Sequence, residues 1–240
     1  MGIAFREKTM ACWRFLRLLI VLATGLLIAS QSAVALDPTK AITQYIHESW
    51  HTVDGLPQDS VVSIAQTPDG YLWLGTEEGL ARFDGVRFTV FDKSNTPELK
   101  SSFISALLAD RTGNLWIGTG GGGVLRMTDG KFVAFTTRNG LSNDSVLSLC
   151  EDREHGIWIG TEGGGVNRFK EGKFTVYNSK IGLADDAVYS IFAARDGSVW
   201  FGTGGGVSQF KDGFLRNFTV QQGLPNKNVR AVLEDRESVV

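Results

Sequence analysis

The chain has 240 residues, a formal charge of −2 and 42% hydrophobic residues, enough apolar matter for a sizeable core. It has no basic excess, which excludes nucleic acid as the expected partner, and its two cysteines cannot make a disulfide framework. Twenty-nine glycines against five prolines suit many short strands joined by tight turns.

Residues 1–35 carry the pattern of a signal peptide. Arg6, Lys8, Arg14 and Arg17 form a positive start, Leu18 to Ala29 an apolar run, and Ala33-Val34-Ala35 the small residues of a cleavage site. The apolar run is twelve residues long, and a bilayer span needs roughly 20. The expectation is export to the periplasm with cleavage after Ala35. Residues 36–52 follow as a separate N-terminal segment, with His47 and Trp50 in the stretch Thr43 to Thr52.

Beyond it the sequence repeats. Gly70 to Phe83 reads GYLWLGTEEGLARF, and the same phrase returns at Gly113 to Met127, Gly156 to Phe169 and Gly197 to Phe210. The tryptophans fall at Trp73, Trp116, Trp158 and Trp200, at steps of 43, 42 and 42 residues. A period that long and regular marks an array of one supersecondary unit. A Gly-Leu pair stands before the units at Gly55-Leu56, Gly140-Leu141, Gly182-Leu183 and Gly223-Leu224, while the second unit has Glu98-Leu99 instead.

Each unit divides into four β-prone stretches. In the first they are Ser60 to Gln66, Tyr71 to Thr76, Gly79 to Asp84 and Arg87 to Asp92. The second stretch is apolar on both faces (Tyr71, Leu72, Trp73, Leu74), so it must be covered on both. A lone four-stranded sheet leaves one face bare; sheets stacked face to face do not. The expected fold is therefore all-β, a β-propeller of four-stranded antiparallel blades. The blades are expected at about residues 53–95, 96–137, 138–179 and 180–220, with a partial one at 221–240, inside an incomplete propeller spanning 53–240. Trp50 stands five residues before Gly55, as Phe135, Tyr177 and Phe218 stand before their glycines. This places Thr43 to Thr52 as an outer strand that closes the ring on its last blade. The fifth unit stops at Val240, where the next Trp would be residue 241, so the ring is expected open and the chain the N-terminal part of a longer protein.

Few residues suggest chemistry. Gly118 to Gly123 satisfies GxGxxG, but a strand follows it where a dinucleotide site needs a helix, so it is expected to be a turn. His47 is expected to fill an outer strand, and His155 lies in the turn before Trp158. Cys150 falls in an innermost strand as a small hydrophobe. No catalytic residue, metal site or cofactor is expected. The four tryptophans, with Gly75, Gly118, Gly160 and Gly202 two residues on, are expected to form the structural core of the repeat.

In a meander the loops entering strand one and those from strand two to three share an end, at the mouth of the central channel. Gln58, Asp59, Glu77, Glu78, Ser102, Asn143, Asp144, Glu162, Asp185, Asp186 and Lys227 fall there and differ between units. They are the candidate ligand-binding residues. Alanine at Asp144 and Asp186 is expected to abolish binding without altering thermal melting. An alternative is that Asp and Asn simply turn corners well.

Taken together, Gly55-Leu56-Pro57-Gln58-Asp59-Ser60-Val61, Asp69-Gly70-Tyr71-Leu72-Trp73-Leu74-Gly75-Thr76 and Gly79-Leu80-Ala81-Arg82-Phe83-Asp84-Gly85 resemble the two-component regulator propeller repeat. The resemblance covers Ile42 to Val240. It implies the periplasmic sensor region of an inner-membrane protein, whose partners are its own remaining blades and downstream domains and a small-molecule ligand, an oligosaccharide in many members. It also implies an output module, a histidine kinase or a diguanylate cyclase, outside these residues, and a homodimer of the full-length protein. The alternatives are a stand-alone secreted propeller, either a lyase acting on cyclic peptide antibiotics or an interaction scaffold. The lyase needs a general base, typically His, at the channel mouth, where the sequence places none.

Overall fold

The computed structural model describes residues 48–235 together with Thr43. The signal peptide and residues 44–47 of the expected ring-closing strand, His47 among them, lie outside the described residues. Among the described residues, no helix is long and apolar enough to cross a membrane.

Residues from 49 onward form one unit. The first sheet comprises β1 (Val61–Gln66), β2 (Leu72–Thr76), β3 (Leu80–Phe83) and β4 (Phe88–Phe91). The second comprises β5 (Ile104–Ala109), β6 (Leu115–Thr119), β7 (Val124–Thr128) and β8 (Lys131–Phe135). The third comprises β9 (Val146–Glu151), β10 (Ile157–Thr161), β11 (Val166–Lys170) and β12 (Lys173–Tyr177). The fourth comprises β13 (Val188–Ala193), β14 (Val199–Thr203), β15 (Gly206–Lys211) and β16 (Phe214–Phe218). Each is an antiparallel meander in chain order, and the four do not close a ring. The fold is all-β and propeller-like, as the repeat requires.

The inner strands β1, β5, β9 and β13 lie side by side. Ser63 accepts the Leu107 N–H across the first seam, and the Ser105 and Ser148 hydroxyls donate to the Val146 and Val188 carbonyls across the next two. The core is divided into these seams between sheets. Trp73 packs with Ile104, Leu115, Ile117 and Leu125 of the second sheet. Trp116 packs with Val146, Ile157, Ile159 and Phe169 of the third, and Trp158 with Val188, Val199 and Phe201 of the fourth. The strand that is apolar on both faces is thus the one pressed between neighbours. Trp200 is only half-buried, because its seam is covered by residues 224–232 alone and not by a full sheet.

Each indole also fixes the turn at its own strand's start. The Trp73 N–H donates to Thr67 Oγ1 (3.0 Å), Trp116 to Asp110 Oδ2 (2.9 Å), Trp158 to Asp152 Oδ2 (2.7 Å) and Trp200 to Ser198 Oγ (2.9 Å). A buried indole N–H without an acceptor would cost about 1–3 kcal/mol, so the polar turn residue is part of the core.

Candidate functional site

The loops expected at one end do meet there. Four of the loops that lead to an inner strand begin with a short 3-10 turn, at Thr52–Asp54, Thr137–Asn139, Ser179–Ile181 and Val220–Gln222. The turn closes on a glycine in the left-handed region, as at Gly140 with φ 100°, where a side chain would be strained. The following leucine, Leu56, Leu141 or Leu183, is buried under the sheets. In the second unit the path differs: Asp92 Oδ1 takes the Ser94 and Asn95 N–H groups, and Leu99 still reaches the core. The leucine anchor is retained where the glycine is not.

Three candidate residues hold these turns. Asp59 Oδ1 accepts the Thr52 N–H at 2.7 Å. Asp144 accepts the Thr137 N–H (2.7 Å) and hydroxyl, and Asp186 the Ser179 N–H (2.6 Å) and hydroxyl. Each of these carboxylates thus ties a turn residue to the loop seven residues on. The backbone of the same loops ties neighbouring sheets together: the Asp144 carbonyl accepts from Gly121 and Gly123 of the second sheet, and the Asp186 carbonyl from Gly165 of the third. The GxGxxG stretch is therefore a turn whose N–H groups are used across a seam.

Among the other candidates, Gln58 exchanges hydrogen bonds with Glu77, from its Nε2 to Glu77 Oε2 and from the Glu77 N–H to its Oε1. Glu162 Oε2 accepts the Ser145 hydroxyl at 2.7 Å. Asn143 and Asp185 each accept an N–H two residues on, from Ser145 and Ala187. Glu78 and Ser102 line a shallow hollow with Asp92, Lys93 and Ser94. Glu77, Glu78, Glu162 and Lys227 are exposed at this end.

Sequence reasoning placed no histidine here, yet the structure brings His51 Nδ1 to 3.8 Å from Asp59 Oδ2, both exposed. His51 precedes the Thr52–Asp54 turn, and its constant distance from the Gly-Leu pair was the signal that could have placed it. Asp59, Asp144 and Asp186 likewise stand seven residues after the turn residue each one holds, a spacing that reveals a structural role.

The opposite end carries His155, bonded through Nδ1 to Glu151 Oε1 at 2.8 Å. Cys150 is half-buried, and burial pushes its thiol up to about 11, which disfavours the thiolate. Among the described residues no group of acidic, His and Cys side chains is arranged to hold a metal ion.

The family model of the two component regulator propeller matches residues 55–78, 98–121, 140–163 and 182–205, one match in each unit. The histidine kinase P4 of Formosa agariphila is 40% identical over 60 residues, which is 25% of this chain and 4% of that protein. The extracellular domain of a hybrid two component system of B. thetaiotaomicron superposes with a TM-score of 0.62 at 23% identity. That match covers 75% of this chain and 25% of the other. Virginiamycin B lyase from Staphylococcus aureus superposes with a TM-score of 0.60 at 17% identity, over 74% of this chain and 61% of the lyase. At these identities the two structures share the fold. The chain spans a small part of the kinase and a quarter of the extracellular domain that it matches.

Proposed function

The chain belongs to the two component regulator propeller family, and we propose that it is the ligand-sensing part of an exported, membrane-anchored two-component sensor. The observation that supports this most is the loop end. There, side chains that differ from sheet to sheet stand on loops whose backbones are bonded across seams, so a ligand held by one sheet pulls on the next. A binding event is thereby converted into a change in the angle between sheets, which is what a sensor has to transmit. Kinase chemistry belongs to an output module outside these residues, and the ligand expected from the resemblance is an oligosaccharide.

The residues offered for the ligand are first Glu78 and Lys227, exposed and with no side-chain hydrogen bond among the described residues, then Glu77 and Glu162, with Gln58, Ser102, Asn143 and Asp185 behind them. The test is an oligosaccharide array probed with the chain and with a Glu78→Ala, Lys227→Ala variant. Both side chains are exposed, so melting should not change while binding of the retained sugar falls. A sugar bound equally by both proteins would remove the loop end as the site, and an empty array would remove oligosaccharides as the ligand. The lyase reading needs a general base beside the channel axis; His51 is the histidine at this end, and it sits where the crossing leaves the outer rim.

A further inference from the structure

The opposite end of the sheets carries a second arrangement, complete at two seams, absent at one and half-made at another. In the turn between β5 and β6, the Arg111 N–H donates to Glu151 Oε2 at 2.9 Å, and its guanidinium to the Asp152 carbonyl at 3.2 Å. Glu151 ends the inner strand of the following sheet, and its side chain is only 7% exposed. At the far side of the fourth sheet the pattern recurs: the Arg195 N–H donates to Glu234 Oε2 at 3.0 Å, and its guanidinium to the Asp235 carbonyl at 2.7 Å. The Glu234 side chain is 12% exposed. Each of these seams encloses one carboxylate, held by an arginine side chain and its own backbone N–H.

The first seam has neither partner. Pro68 stands at the arginine position, without an N–H to satisfy, and Ala109 at the glutamate position. The seam between the third and fourth sheets has half of the pair. Arg153 supplies the cation and the N–H, but Ala193 occupies the register position that Glu151 takes one sheet earlier. Among the described residues, neither the Arg153 N–H nor its guanidinium has a hydrogen-bond or ion-pair partner. A cavity of about 460 Å³ opens at this seam, lined by Arg153 and Arg168 from one sheet and Lys211 and Asp212 from the next.

We propose that this cavity binds a small hydroxylated carboxylate, whose carboxylate replaces the glutamate the third seam lacks. The site would present the Arg153 N–H and guanidinium to the carboxylate, the donor pair that encloses Glu151 elsewhere. Asp152, Glu154 and Asp196 on the cavity wall are already held by Arg168, Lys170 and Lys211, so they do not compete for Arg153. The Glu154 oxygen that Arg168 and Lys170 leave open, with Asp212, suits the hydroxyl donors of a sugar acid and not a second anion. The site lies at the other end from the sensing loops, so it stands or falls independently of them.

The repeat supplies its own test. Ala193→Glu should install the missing carboxylate, raise the melting temperature by about 2–4 °C, and occupy the Arg153 donors that glucuronate would need. Titration of the full chain with D-glucuronate, with D-glucose as the uncharged control, should give saturable binding for glucuronate alone. Arg153→Gln, a change at an exposed side chain, should weaken that binding at least about tenfold. The inference is overturned if glucuronate does not bind, if glucose binds as well, or if Arg153→Gln and Ala193→Glu both bind glucuronate as the parent does.

Discussion

At the scale of single residues, the polar partners of the tryptophans are as much a part of the core as the rings. Asp110 is buried and receives donors from five directions: the Thr112 and Asn114 N–H groups, the Thr112 hydroxyl, the Asn114 amide and the Trp116 indole. Burial alone would lift its carboxyl, but the donors of Asn114, Trp116 and Thr112 outweigh it and hold it below its ordinary value. A carboxylate depressed in the fold stabilises above its unfolded pKa, about 3.9, and loses that contribution as pH falls through the folded value. Asp110→Asn should therefore lower the melting temperature by a constant amount between pH 7 and 5, with the difference from the parent shrinking below about pH 4. A difference that stays constant down to pH 2 would show that the charge is not what the donors stabilise. The role of Asp110 was hidden in the sequence because residue type does not tell which donors a carboxylate meets. For the same reason the sequence did not show that Asp59, Asp144 and Asp186 each spend at least one oxygen on a turn.

At the scale of elements the sequence was far more legible. The strands expected at Ser60 to Gln66 and Tyr71 to Thr76 are observed at Val61–Gln66 and Leu72–Thr76, and the later sheets agree as closely. Alternation, Asp-Gly turns and a period near 42 residues all point to one answer there. The 3-10 turns were missed because three residues show no periodicity, although a cap residue four before each glycine announced them. The glycine two residues after each tryptophan has a packing reason. A methyl on Gly118 would meet Val146 Cγ1 of the next sheet at 2.6 Å, and one on Gly75 would meet Ile104 Cγ2 at 2.7 Å. These glycines let the next inner strand lie directly on the tryptophan strand. Gly118→Ala should cost about 1–3 kcal/mol in urea unfolding, as overpacking does. Val146→Ala in the same chain should recover part of that loss, giving a coupling between the two sites. Strictly additive costs would mean that the close approach is not what selects glycine.

At the scale of the whole assembly, the same contact that joins neighbouring sheets also appears where no preceding sheet is present. Phe135 of the second sheet meets Phe169 and Phe174 of the third at centroid distances of 5.1 and 5.9 Å. Tyr177 meets Phe210 at 5.1 Å across the next seam. Trp50 meets Phe83 and Phe88 of the first sheet at 5.0 and 6.3 Å, so it holds the place of an outer-strand aromatic from a sheet before the first. Residues 44–47 of its segment lie outside those described. The inner part of the same face is bare: Ile64 is 63% and Val62 46% exposed on β1. At the far side, Trp200 and Phe218 border a partly filled seam. Two apolar sheet faces of this kind favour association, because each satisfies the burial the other lacks. The purified chain should therefore elute from size-exclusion chromatography above its monomer size, increasingly so with concentration. Ile64→Glu places a charge on the bare face at a position already exposed to water, so it should shift the profile toward monomer without lowering the melting temperature. A parent chain that is monomeric at every concentration would show that these faces are already covered, and the open ring described here would then not be the state in solution.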